Sequence, residues 1–184
     1  MFKRLFFSIN IPDNAKKEII LYKKDLEKNL KRGVIWVKDE NLHVTILFLG
    51  QVKENSVDRL FKNLEDIKEK PFEVTCGNVS YFPKEKTNAK LIWINIESPS
   101  LKRLKKKINE ALSLEFKTKT SSVFFPHITL GRIKQWEFRK IPIYEIPDLN
   151  DKLNLNFKVT TINIIESKIK KEGPSYHILK SFNL

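Results

Sequence analysis

The chain has 184 residues, with 35 Lys and Arg against 22 Asp and Glu, for a formal net charge of +13. A hydrophobic share of 41%, including 13 Phe and 3 Trp, is too apolar for a disordered basic tail, so the charge rides on a folded body long enough to bury a core. The lone cysteine, Cys76, excludes an intrachain disulfide scaffold and a multi-thiolate metal site, and fits a reducing cytoplasm. No run of about 18 apolar residues exists for a membrane span.

Residues 3–11 alternate, with Leu5, Phe7, Ile9 and Ile11 on one face and Arg4, Phe6, Ser8 and Asn10 on the other, which is the period of a strand rather than of a targeting segment. Pro12 and Asp13 then open a helix in which Ala15, Ile19, Tyr22, Leu26 and Leu30 form one apolar stripe until Gly33 closes it. Strand character returns at 34–37 and 42–49. A second amphipathic helix follows from about Ser56 to Lys68, turning Val57, Leu60, Phe61, Leu64 and Ile67 inward. The second half repeats the plan: strands at 72–82 and 90–96, a helix from Ser98-Pro99 to about Phe116, and a strand around 125–132. One long strand is predicted over 155–166 and a last one over 176–182, with Gly173-Pro174 marking the hairpin between them. The predicted class is α+β or mixed α/β, with no linker dividing residues 1–184 into independent domains.

Only three histidines occur, and two share a local pattern: His43-Val44-Thr45-Ile46 and His127-Ile128-Thr129-Leu130 both read His, apolar, Thr, apolar. The chain holds eight threonines, so two of them standing two places after a histidine is not expected by chance. In a strand, side chains two apart share a face, so each motif presents an imidazole beside a hydroxyl on an element backed by the core. Brought together, two imidazoles with ordinary pKa near 6.5 and two hydroxyls make an acid–base pair around an anion site. Such a set suits phosphoester displacement: one neutral imidazole takes a proton from the attacking oxygen and the other, as imidazolium, protonates the departing one. The threonine hydroxyls would hold non-bridging oxygens, and Arg132, three places past Thr129, would add charge where it accumulates.

The segments RLFFSINIP (4–12), NLHVTILFLG (41–50) and PHITLGR (126–132) resemble those of the two-histidine phosphoesterases, specifically the bacterial and archaeal RNA 2′,3′-cyclic phosphodiesterases, also called 2′-5′ RNA ligases. The resemblance spans nearly the whole chain and includes a tryptophan, Trp36, shortly before the first motif. It implies two pseudo-symmetric lobes, each a mainly antiparallel sheet with helices on its outer face, and a cleft between them with neither cofactor nor metal. It makes His43 the proton donor and His127 the acceptor, Thr45 and Thr129 phosphate ligands, and Arg132 a phosphate contact. It also points to Phe7 and Phe48 as base contacts. Simple alternation puts Phe7 with the buried set and Phe48 opposite His43, so a bulge or a cleft edge is needed to re-aim them.

The expected reaction is metal-independent opening of RNA 2′,3′-cyclic phosphate ends to a 2′-phosphate, with reverse 2′-5′ ligation, by a cytoplasmic monomer with no membrane partner. The competing substrate is a small cyclic nucleotide or an ADP-ribose cyclic phosphate, and the competing class is a basic module that binds RNA ends without turnover. His177 has no following threonine and reads as structural or surface, with Tyr176 beside it as a cleft candidate. Cys76 reads as a small buried thiol, and the Lys102–Lys107 run as a solvated helix face or a track for an RNA backbone. Trp93 fits core or cleft, while Trp36 and Trp136 are candidates for exposed stacking. Five glycines without a Gly-rich loop exclude a P-loop.

Overall fold

The alternation at the start of the chain builds β1 (Phe2–Asn10), whose Leu5, Phe7 and Ile9 are completely buried. The computed structural model describes residues 1–65, 67, 69–113, 116 and 123–184. Pro12 precedes α1 (Asp13–Asn29), where a missing N–H costs nothing, and Ala15, Ile19 and Leu26 turn into the core. The chain continues through β2 (Val34–Trp36), β3 (His43–Lys53), α2 (Val57–Glu65), β4 (Phe72–Phe82) and β5 (Leu91–Glu97). Ser98 then caps α3 (Pro99–Leu112), its hydroxyl accepting from the Leu101 N–H at 3.2 Å. The remainder is β6 (His127–Ile133), the short α4 (Gln135–Phe138), β7 (Lys152–Val159), β8 (Thr161–Lys170) and β9 (Gly173–Asn183). The ends predicted for the second and third helices run into residues 66, 68, 114 and 115, which lie outside the described residues.

The strands form one open antiparallel sheet in the order β7-β4-β5-β6-β3-β1-β8-β9, with β2 also pairing on β6. It divides into two four-stranded halves that meet at a single bridge, Val44 to Ile128. Each half contains the same unit, a central strand, a helix and a second strand that begins with histidine: β1-α1-β3 in one, β5-α3-β6 in the other. The helices cover one face. Their buried side chains Ile19, Leu60, Leu64, Leu101, Leu104 and Ile108 share one core with Phe7, Val44, Ile94 and Ile128 of the sheet. Val44 and Ile128 are fully buried at the junction, and each contributes about 1.5–3 kcal/mol by leaving water. The junction that aligns the two histidine strands is therefore apolar and packed from behind.

One expectation changes. The strand predicted over 155–166 is two strands in different halves, since β7 pairs with β4 at one edge and β8 pairs with β1. The break falls at Thr160, inside a run of strand-forming residues (Val159-Thr160-Thr161-Ile162) that holds no Gly or Pro to announce it. The Lys102–Lys107 run lies on α3 in the helical layer, behind the sheet, where Glu69 pairs with Arg103 and Lys107, and Lys106 pairs with Glu110. Lys105 of the same run lies over the Phe124 ring, 4.4 Å from its centroid.

Candidate active site

On the helix-free face the two motifs lie side by side. The antiparallel register of the Val44–Ile128 bridge sets His43 level with Thr129 and Thr45 level with His127. All four side chains are half-buried, while the residues between them, Val44, Ile46, Ile128 and Leu130, are core. The expected alternation therefore holds as far as each threonine.

Beyond the threonine both strands bulge at the same place. Against β1, Ser8 pairs with Thr45 but Phe7 pairs with Leu47, leaving Ile46 as an extra residue. Against β5, Trp93 pairs with Thr129 but Ile92 pairs with Gly131, leaving Leu130 extra. One inserted residue inverts the alternation. The position five after each histidine, Phe48 in one half and Arg132 in the other, is thereby turned onto the histidine face. Gly131 has a packing reason at the bulge: a Cβ there would lie 2.5 Å from Val34 Cγ1 and 3.1 Å from Trp36 Cε3.

The imidazoles are held in the same way. His43 Nδ1 lies 2.6 Å from the Asn41 carbonyl and His127 Nδ1 lies 2.7 Å from the Phe125 carbonyl, so each Nδ1–H donates to the residue two before it. A carbonyl accepts only, which leaves each Nε2 as the working nitrogen. His43 Nε2 is 3.0 Å from Thr45 Oγ1, which donates to it while the ring is neutral. Asn41 is itself anchored, its side-chain amide donating to the Pro174 carbonyl at 3.0 Å. Buried Lys23 ties α1 to the same approach loop, donating to the Val37 carbonyl and to Asp39, each at 2.5 Å.

Burial lowers the pKa of both histidines below the usual value, and the nearby Arg132 charge acts in the same direction, while the carbonyl at each Nδ1 opposes it. For His43 the neighbouring His127 and Lys16 add to the lowering. Without an anion the site therefore holds two neutral imidazoles beneath a guanidinium. A phosphoryl group would offset that positive potential and favour one imidazolium. Among the described residues, no group of three or more His, Cys, Asp or Glu side chains is arranged to hold a metal ion.

Aromatic rings flank each histidine. His43 lies 5.1 Å from Phe6 and 5.3 Å from Tyr176, and Phe6 is 5.7 Å from Phe48. A cavity of about 270 Å³ opens beside these groups, lined by Lys16, Asn41, His43, Ile165, Tyr176 and Ile178 among others. His127 lies 4.7 Å from Trp93, which packs on Phe82 at 4.1 Å.

Phe7 is corrected as a base contact: it is 0% exposed in the core behind the sheet, as alternation requires. Its neighbour Phe6 lies on the histidine face but is only 2% exposed, covered by the rings of His43, Phe48 and Tyr176. Phe48, 62% exposed, is on the histidine face because of the bulge. Tyr176 joins the site, whereas His177 is an exposed residue of β9 bonded to Ser175. Cys76 is buried in the core and its thiol is pushed up to about 12, which leaves it inert as a nucleophile. Trp36 packs against the core instead of lying exposed, and Trp136 is exposed on α4 beneath Lys140. Asn41 and Phe125, which act through backbone carbonyls, carry no side-chain signal that sequence could show.

Residues 9–93 match the family model described as LigT like phosphoesterase. An RNA 2′,3′-cyclic phosphodiesterase of Methanocaldococcus jannaschii is 32% identical over 97% of this chain and 99% of its own length. One of Archaeoglobus fulgidus is 30% identical over the same shares. Among solved structures, the protein TT0787 of Thermus thermophilus superposes with a TM-score of 0.83 at 24% identity, covering 98% of this chain and 97% of that one. E. coli LigT complexed with 3′-AMP superposes with a TM-score of 0.78 at 23% identity, covering 100% and 99%.

Proposed function

The chain belongs to the LigT-like, two-histidine phosphoesterases, and from that premise we propose that it opens RNA 2′,3′-cyclic phosphate ends to 2′-phosphates without a metal, and runs the reverse 2′-5′ ligation. The observation that carries this reading is the matched pair of imidazoles on one face, each fixed through Nδ1 so that Nε2 is left free to act, with Thr45 and Thr129 on the same strands. A module that only held RNA ends would not need two titratable groups locked in the same tautomer.

In the forward direction His127 Nε2 takes a proton from water as its oxygen attacks phosphorus. The P–O3′ bond breaks, and His43, as imidazolium, delivers its proton to O3′, leaving the phosphate on O2′. In-line displacement needs donor and acceptor on opposite sides of the phosphorus, which suits groups supplied by two halves of a sheet. Thr45, Thr129 and Arg132 hold the non-bridging oxygens, and the guanidinium adds positive charge where negative charge builds. Thr45 donates to His43 while that ring is neutral and turns to the phosphate once Nε2 carries the proton. Phe48 and Tyr176, backed by the buried Phe6, supply ring faces for the base of the cyclic nucleotide. RNA is the proposed partner, and the relatives named as RNA phosphodiesterases favour it over a small cyclic nucleotide or an ADP-ribose cyclic phosphate.

Incubating the protein with an oligonucleotide ending in a 2′,3′-cyclic phosphate, in excess chelator, tests this directly. The expected product is a terminal 2′-phosphate at an undiminished rate. Loss of turnover on chelation, or saturable binding without product, would replace it with a metal-dependent or a purely binding role.

A further inference from the structure

The two halves differ beside their threonines. Ser8 occupies the register position next to Thr45, and the equivalent position next to Thr129 holds Trp93. The indole is fixed, its Nε1–H donating to Ser80 Oγ at 2.9 Å, with one ring neighbour in His127 and another in Phe82. Phe125 extends this cluster at 6.1 Å from Phe82 and 6.4 Å from Trp93, and it stays 53% exposed. The histidine face therefore carries two aromatic clusters, one beside each catalytic nitrogen.

Hydrolysis uses only one of them. The 2′ and 3′ oxygens of a cyclic phosphate belong to one ribose, so a single nucleoside is present, on the side of the leaving oxygen and the proton donor. The opposite side receives water, which gains nothing from an exposed phenylalanine. A nucleoside that brings a 5′-hydroxyl would arrive on that opposite side and would stack there, since every base has a π-face.

We propose that Phe82, Trp93 and Phe125 form a second nucleoside seat, which takes the nucleoside bearing the attacking 5′-oxygen in ligation and the departing one in cleavage of a 2′-5′ linkage. This rests on the phosphodiesterase reading above and adds the acceptor's binding site to it. In ligation the 5′-hydroxyl oxygen forms the new P–O5′ bond and its proton passes to His127. The P–O3′ bond breaks and O3′ takes the proton of His43. Cleavage reverses each step, the 3′-hydroxyl displacing the 5′-oxygen, with no further reactant.

The test compares wild type, Phe125→Ala and Phe125→Tyr on two substrates: adenosine 2′,3′-cyclic phosphate and a 2′-5′-linked adenosine dinucleotide, the latter assayed by its cleavage and as an inhibitor of the former. Alanine retains the carbonyl that holds His127. The expected result is a rise of about 10-fold in KM and inhibition constant for the dinucleotide with Phe125→Ala, and values near wild type with Phe125→Tyr. Hydrolysis of the cyclic phosphate is the internal reference: an effect that reaches His127 through the Phe125 backbone weakens both substrates alike, so the ratio of the two reports the seat. Equal loss on both substrates, or no change on either, overturns the second seat. So does a wild-type protein that opens the cyclic phosphate but neither cleaves nor binds the dinucleotide, in which case the phosphodiesterase reading stands. Failure to open the cyclic phosphate at all overturns both.

Discussion

His43 and His127 are each fixed in orientation and tautomer by a backbone carbonyl two residues upstream, a geometry that comes with the strand entry and needs no carboxylate partner. Their pKa values are lowered by burial, so in the folded protein they resist protonation while in the unfolded chain they titrate near 6.5. Below that pH the unfolded state binds more protons, and folding stability falls as pH drops from about 6.5 towards the folded values. Thermal unfolding at pH 7.5 and 5.5 should show a loss of Tm on acidification that is smaller in a His43→Ala/His127→Ala double variant. An identical loss in the variant would mean that other groups carry the acid sensitivity. The histidines and threonines were legible in the sequence because a strand converts spacing of two into a shared face. Asn41 and Phe125 were not, because they act through main-chain oxygens that any residue type could supply.

At the level of elements, the bulges decide which side chains meet the phosphate. A regular β6 would have put Gly131 on the open face and Arg132 in the core; the extra Leu130 exchanges them. Periodicity cannot foresee this, which is why simple alternation put Phe48 on the face opposite His43, whereas for Phe7, which the resemblance named, alternation was right to expect burial. The single strand predicted over 155–166 failed for a related reason: strand-forming residues run through Thr160, and only pairing with different partners separates β7 from β8. Gly131→Ala tests the bulge. Its Cβ would meet Val34 at 2.5 Å, so a loss of about 1–3 kcal/mol in stability is expected from overpacking, together with reduced kcat/KM as Arg132 is displaced. Chemical denaturation and steady-state kinetics on the cyclic phosphate check both, and a stable, fully active variant would show that the close approach at Gly131 does not set the position of Arg132.

Over the whole molecule, two similar halves of one sheet meet at a single bridge, and the chemistry gathers where they meet. The helices fill the other face, and the basic run of α3 goes with them, part of it paired with Glu69 and Glu110. Within the site, Arg132 acts on both histidines and Lys16 on His43, beside hydroxyls, neutral imidazoles and rings. The repeat of His-x-Thr made this symmetry legible in advance, whereas the difference between Ser8 and Trp93 gained meaning only when register set them at equivalent positions. The most direct measurement is turnover of a 2′,3′-cyclic phosphate RNA by His43→Ala and by His127→Ala, in chelator, against wild type. Each variant should lose at least about 10²-fold in kcat while remaining folded. Near-normal turnover by either one would contradict a reaction shared between the two halves.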